Sequence, residues 1–281
     1  MIKNNQAICT IITADYFFYA QAIYDSVMAH DAKTYFYVLV VDDYETKNLS
    51  YKGINSVSLQ ELKTAYPKDY QTIAHYENDK ASVLRWALKP LFLKYILKAK
   101  AMERVILVDP DIYFFKSPKF LFQALKKHRV LLTPHWRSKN PNLDPVNFDW
   151  LFNGGLYNAG FFGCNKKAIP ILDWWLQACA YKMTKGDGFF VDQSYLNLMP
   201  IYFEGVYVLK HRGCNVAAWN RIECKRQLFD KEVLINGKYP VVFIHFTSLT
   251  IKLIQENIDP KLTSYLKDYQ TKLLQHNPNY N

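Results

Sequence analysis

The stretch Arg104–Phe115, RVILVDPDIYFF, decides how the chain is read. An apolar run, Val105 to Val108, ends in two aspartates, Asp109 and Asp111, with Pro110 between them, and apolar residues resume at Ile112. The run has the length and composition of a buried strand. The question is what two carboxylates do at its end.

Other strands stop in the same way. AICTIITA (Ala7–Ala14) leads to Asp15, and TYFYVLVVDD (Thr34–Asp43) ends in Asp42 and Asp43. Between these runs lie segments of helical spacing. DYFFYAQAIYDSVMAH puts Ala22, Ile23, Ser26 and Val27 on one face, and Ser58 and Glu61 read as a capping box after the short strand INSVSL. Asp79 to Lys100 reads as helix, which Pro90 either kinks or restarts as a second segment. KSPKFLFQALKKH reads as a helix with Ser117 as N-cap and Pro118 at its first position. RVLLT and GGLYNAGFFGCNK read as strands, and AIPILDWWLQACAYKM as a helix whose Trp174 and Trp175 belong to the core. Strands alternating with helices predict an α/β fold, a mostly parallel sheet covered on both faces. Ligands of such sheets collect at the carboxyl ends of the strands, where these aspartates fall. Pro134 to Phe152, rich in Pro, Asn and Asp, reads as a long binding loop.

Composition narrows the class. The chain has 281 residues, 50% hydrophobic and 21% charged, which is globular. The net charge of +10 favours an anionic partner, yet no Lys/Arg cluster is dense enough to select nucleic acid. Cys9, Cys164, Cys179, Cys214 and Cys224 are odd in number and scattered, without CxxC or zinc spacing, and read as reduced thiols of a cytoplasmic protein. No apolar run is long enough for a transmembrane helix.

The paired aspartates admit four readings. They make a tight turn, which Pro110 suits. They belong to a phosphatase of the haloacid dehalogenase type, although that motif continues with a small or hydroxyl residue where this chain has Ile112 and Tyr113. They hold a divalent cation, Mn²⁺ or Mg²⁺, which takes oxygens from carboxylates and from a diphosphate. Or the fold is kept as a sugar-nucleotide-binding protein without catalysis.

Read in order, VILVDPDI, NAG (Asn158, Ala159, Gly160), DQ (Asp192, Gln193), CNVAAWN (Cys214–Asn220) and FIHF (Phe243–Phe246) resemble the GT-A glycosyltransferases. The series looks closest to the family 8 type, which includes glycogenin and the galactosyltransferases of bacterial lipooligosaccharide, and to related bacterial surface-glycan transferases. ALKP at Ala87–Pro90 adds to it. The resemblance implies a Rossmann-like GT-A catalytic domain over residues 1–250, with 251–281 as a helical C-terminal extension. It implies transfer of a sugar from a nucleotide diphosphate donor, UDP-sugar being expected, to a cell-surface glycan or lipid-linked acceptor. It makes Asp109, Asp111 and His245 the metal ligands. It places Thr13, Ala14 and Asp15 at the nucleotide, with Tyr16 or Tyr19 stacking on the base, and Lys89 near the diphosphate. Asn158, Ala159 and Gly160 would meet the donor sugar, Asn215 the sugar or the acceptor, and Asp192 and Gln193 would be catalytic. A retaining, front-face transfer is implied, in which the leaving diphosphate helps deprotonate the acceptor; an inverting enzyme would need a carboxylate base, and Asp192 is the first candidate. One departure is Thr247-Ser248 after His245-Phe246, where the family often has glycine at Ser248.

PKLTSYLKDYQTKLLQHNPNY, from Pro260 to Tyr280, combines Lys261, Lys267 and Lys272 with aromatics and leucines. Such a helix either rests on an anionic membrane surface, making the protein peripheral at the inner face, or packs on the catalytic domain.

Overall fold

The computed structural model describes residues 5–42, 49–78, 81–230 and 232–280. Asp43 and Asp79 lie outside the described residues. The chain runs β1 (Gln6–Ile12), α1 (Phe17–Met28), β2 (Tyr35–Val40), β3 (Ile54–Ser58), α2 (Leu59–Ala65), α3 (Pro67–Gln71), α4 (Ala81–Ala87), α5 (Lys89–Lys98), β4 (Arg104–Val108), β5 (Ile112–Phe114), α6 (Lys119–Lys127), β6 (Val130–Pro134), α7 (Pro145–Asn153) and β7 (Tyr157–Asn165). It continues through α8 (Ile169–Tyr181), β8 (Lys185–Gly186), β9 (Phe189–Phe190), α9 (Met199–Tyr202), β10 (Val206–Val208), β11 (Cys214–Val216), β12 (Arg226–Phe229), β13 (Glu232–Ile235), β14 (Tyr239–Pro240), β15 (Phe243–His245), α10 (Ser248–Gln255) and α11 (Thr263–His276).

Seven strands form one twisted sheet in the order β10-β6-β7-β4-β1-β2-β3. The β1–β2, β1–β4, β2–β3 and β6–β10 pairs are parallel, while β7 runs antiparallel to both β4 and β6. Every residue of β1 is buried, Gln6 and Thr10 included, as fits a largely apolar strand covered on both faces. A second sheet, β11-β15-β5, sits at the carboxyl end of β4. In it β15 pairs antiparallel with β5, setting His245 across from Ile112 and Phe243 across from Phe114.

The helices follow their sequence signals with two exceptions. Ser58 caps α2 by accepting from the Glu61 amide, and α4 gives way to α5 with Pro90 in the first turn. Trp175 is fully buried, and Trp174 packs partly buried on the same core. The α6 helix begins one residue later than expected, with Pro118 rather than Ser117 at the N-cap. The stretch read as a loop contains α7, capped by the Asp144 side chain and started by Pro145. The Asp-Pro pair was a helix start hidden among turn residues.

The C-terminal helix packs on the protein. Leu262, Leu266, Tyr269 and Leu273 share a core with Ala22 of α1, Val216, Ile244 and Phe246. Tyr269 stacks on Phe246 with ring centroids 4.3 Å apart. The helix α10 spans residue 250, so backbone structure is continuous there. Among the described residues, no helix is long and apolar enough to cross a membrane. The five cysteines are free and buried, as expected.

This packing makes a prediction. Tyr269→Ala should destabilise the protein by about 3–5 kcal/mol in urea unfolding, the cost of an emptied aromatic site. The Tyr269 hydroxyl is buried without a hydrogen-bond partner, so Tyr269→Phe should raise stability by about 1 kcal/mol.

Candidate active site

Two strand pairings build the site around the turn that follows β4. On one side the register sets Val108 against Phe161, and the Asp109 amide donates to the Gly160 carbonyl at 2.8 Å. On the other, the Phe246 amide donates to the Asp111 carbonyl at 2.7 Å. Asp109, Asp111 and His245 thereby come together, with one ligand atom of each within 4.8 Å of the others. His245 Nε2 lies 2.9 Å from Asp111 Oδ1. Burial disfavours the charge on both, but each holds the other ionised: Asp111 is held below the usual carboxylate range and His245 above the usual imidazole range. His245 Nδ1 is buried with no partner. Gly160 is needed at this corner. A Cβ there would lie 2.4 Å from His245 Cε1, 2.7 Å from Asn158 Oδ1 and 2.9 Å from Asp109 Oδ2.

Lys89, at the start of α5, reaches into the same place although it is buried. Its ammonium donates to the Ala159 carbonyl at 2.9 Å and pairs with Asp109 at 3.1 Å and Asp192 at 3.3 Å. The Ala159 contact is a hydrogen bond, and the two carboxylates are ion-pair partners. Burial lifts the Asp192 carboxyl to about 6, with Lys89 opposing that shift and Asp109 adding to it.

Behind these charges lies a buried amide network whose polarity is fixed by backbone groups. The Gly160 amide donates to Asn158 Oδ1, and the Ala159 amide donates to Gln193 Oε1. Gln193 Nε2 donates to the Gly154 carbonyl. His135 Nδ1 lies 2.9 Å from the Gly155 carbonyl and must carry a hydrogen, because a carbonyl only accepts. Its Nε2 is then the acceptor for Asn158 Nδ2 at 3.3 Å. Burial, and next the charge of Arg137, hold the His135 imidazole neutral with its pKa down at about 3. Asn158 Nδ2 also donates to Gln193 Oε1, and Asn215 Nδ2 donates to Asn158 Oδ1 and Thr133 Oγ1.

A cavity of about 500 Å³ opens over this floor. It is lined by Tyr16, Tyr19, Lys89, Asp109, Asp111, Asn158, Ala159, Gly160, Asp192, Gln193 and His245, so most of the sequence-derived residues meet there. Thr13, Ala14 and Asp15 do not line it. They stand at the end of β1, where the Ala14 amide donates to Asp42 and Thr13 Oγ1 donates to Asp15. Asn215 is fully buried behind Asn158, in a left-handed backbone conformation at φ 61°. The sequence reading missed His135, which follows β6 as the aspartates follow their strands. It also missed Trp219, whose ring packs edge-on between His135 and His245 at centroid distances of 5.5 and 5.3 Å. Arg85, Trp86, Lys185 and Phe190 complete another part of the wall.

No protein-family model matches the chain. Two Bacillus subtilis (strain 168) proteins, the uncharacterized YfnF and YfnD, are each 27% identical to it. The YfnF match covers 89% of this chain and 84% of YfnF, and the YfnD match 86% and 77%. Among solved structures, galactosyltransferase LgtC in complex with donor and acceptor sugar analogs superposes with a TM-score of 0.54 at 16% identity, over 85% of this chain and 86% of LgtC. Mouse xyloside xylosyltransferase 1 gives 0.54 at 14% identity, over 87% and 98%. A glycosyltransferase involved in the glycosylation of the major capsid of PBCV-1 gives 0.51 at 12% identity, over 90% and 98%. The chain has the GT-A glycosyltransferase fold.

Within this GT-A fold, two outcomes test the geometry. Gly160→Ala should push His245 and Asp109 apart, so that a divalent cation titrated against this cluster binds at least about tenfold more weakly than to the unaltered protein, measured by calorimetry, because misplaced ligands lose most of their affinity. The second concerns acid. Below about pH 6.5 the unfolded chain protonates His135 while the folded chain does not, so stability falls toward pH 3 by about 1.4 kcal/mol per pH unit for this group. His135→Leu should remove that share of the slope in urea unfolding at pH 6.5, 5.5 and 4.5. An unchanged slope would show that His135 is not held neutral.

Proposed function

We propose that the chain is a metal-dependent glycosyltransferase that moves a sugar from a nucleotide diphosphate donor, UDP-sugar first among the candidates, to a glycan or lipid-linked acceptor. The observation that carries this reading is the meeting of Asp109, Asp111 and His245 at one corner of the cavity that also holds Asn158, Asp192 and Gln193. Two carboxylates and an imidazole are a donor set that suits Mn²⁺. The unpartnered His245 Nδ1, free to donate to a water while Nε2 ligates, fits that role. A divalent cation held there would neutralise the diphosphate and stabilise it as a leaving group.

The chain's own residues supply the rest. His245 gives up its proton to become a ligand, so cation affinity falls as pH is lowered. Asp192 offers a carboxylate to a sugar hydroxyl, held in place by Lys89. Gln193 has its oxygen turned inward onto Ala159 and Asn158 and keeps one N–H for the cavity. It therefore acts toward the sugar as a hydrogen-bond donor. The parallel rings of Tyr16 and Tyr19, 5.3 Å apart, offer a stacking surface for the base. Lys89, which lines the cavity, holds Asp109 and Asp192 as ion-pair partners beside the place proposed for the diphosphate.

Titration with UDP-sugars, with and without Mn²⁺, following UDP release, tests this reading. Asp111→Asn and His245→Ala should each lower Mn²⁺-dependent transfer about 100-fold or more while circular dichroism stays unchanged. Full activity in either variant would remove that residue from the metal shell. Release of phosphate without UDP would make the protein a phosphatase instead.

A further inference from the structure

The cavity has a second cationic region. Arg85 and Lys185 both line it, and among the described residues neither is paired with a carboxylate. They come from α4 and from the β8–β9 hairpin, elements that contribute nothing to the Asp109, Asp111 and His245 corner. Arg85 lies one helical turn before Lys89, and the Leu88 amide donates to Leu84, so helical geometry carries through and puts both on one face. Lys185 pairs across its hairpin with Phe190, two residues before Asp192. Its ammonium sits 5.2 Å from the Trp86 ring centroid and 5.3 Å from that of Phe190. Trp150 in turn packs edge-on against Phe190 at 5.5 Å.

Two cations in one cavity wall, neither paired with a carboxylate among the described residues and one of them lying over the Trp86 and Phe190 rings, have a defined chemical complement. Aromatic rings pack against the C–H face of a pyranose, and a guanidinium and an ammonium that line one cavity attract an anionic oxygen group. We propose that Arg85 and Lys185 form a subsite for an acidic group, carboxylate or phosphate, carried by a sugar bound in this cavity. The inference rests on the reading of the cavity as a nucleotide-sugar site. The acid group belongs either to the acceptor or to the donor sugar, and the chemistry that recognises it is the same.

Calorimetry separates the sources. Methyl β-D-glucuronide is compared with methyl β-D-glucoside, in the presence of UDP and Mn²⁺ and again without them. UDP-glucuronic acid is compared with UDP-glucose in Mn²⁺. The acidic member of one pair should bind about tenfold more tightly than its neutral partner, as a charge-assisted pair allows. The Arg85→Gln/Lys185→Gln double variant should narrow that preference to less than about twofold. A preference within the methyl glycosides assigns the acid to the acceptor, and one within the UDP-sugars assigns it to the donor. Equal binding within both pairs would overturn the proposal. So would a double variant that weakens UDP itself by the same factor, since the cations would then serve the diphosphate. Failure of the wild-type protein to bind UDP would instead sink the nucleotide-sugar reading, and the nucleotide-free titrations would still measure the acid preference.

Discussion

The antiparallel pairing of β15 with β5 is the constraint on which the site depends. Backbone hydrogen bonding places His245 opposite Ile112, and the Phe246 amide binds the carbonyl of Asp111 itself. A shift of one residue would turn the imidazole to the other face of the strand. On the opposite flank, the β4–β7 ladder fixes Asp109 against Gly160 in the same way. The turn of Asp109-Pro110-Asp111 is thus gripped from both sides by main-chain bonds, so its carboxylates are aimed by the sheets rather than by their own side-chain preferences.

Lys89 ties this corner to the rest of the cavity. A buried ammonium is costly unless it is paired, and this one has two carboxylates and a carbonyl around it. Its pKa reflects the balance: burial lowers it, Asp109 and Asp192 more than offset that, and the group stays charged. The same arrangement keeps two acidic side chains close together without mutual repulsion driving them apart. The amide network beneath has a complementary logic. Asn158 and Gln193 are oriented by backbone groups of fixed polarity, Asn215 follows Asn158, and neutral His135 closes the chain by accepting where an imidazolium would have to donate. The floor of the cavity is therefore preorganised.

The C-terminal segment shows how one pattern allows two physical outcomes. Its leucines and tyrosines, spaced for one helical face, would suit a membrane surface equally well as a protein core. In the folded chain Leu266, Tyr269 and Leu273 are covered by α1 and the second sheet, and Lys267 and Leu274 are left facing out.

By itself the sequence determined the alternation of strands and helices, the end of β4 just before Asp109, and the order of motifs from Asp109 to His245. These are legible because apolar periodicity, Pro90 and the Ser58 cap act over a few residues. It also marked α7, through Asp144 and Pro145, in a code that was masked by neighbouring turn residues. Only the tertiary structure decided that β7 runs against its neighbours, that His135 stands behind Asn158, that Trp219 lies in the cavity wall, and that Lys89 is held by two aspartates. It also put Asn215 behind the cavity, with Thr13, Ala14 and Asp15 beside Asp42. Those outcomes depend on strand register and on which buried donor finds which acceptor. Such pairings join residues far apart in the chain, and no local pattern of residues encodes them.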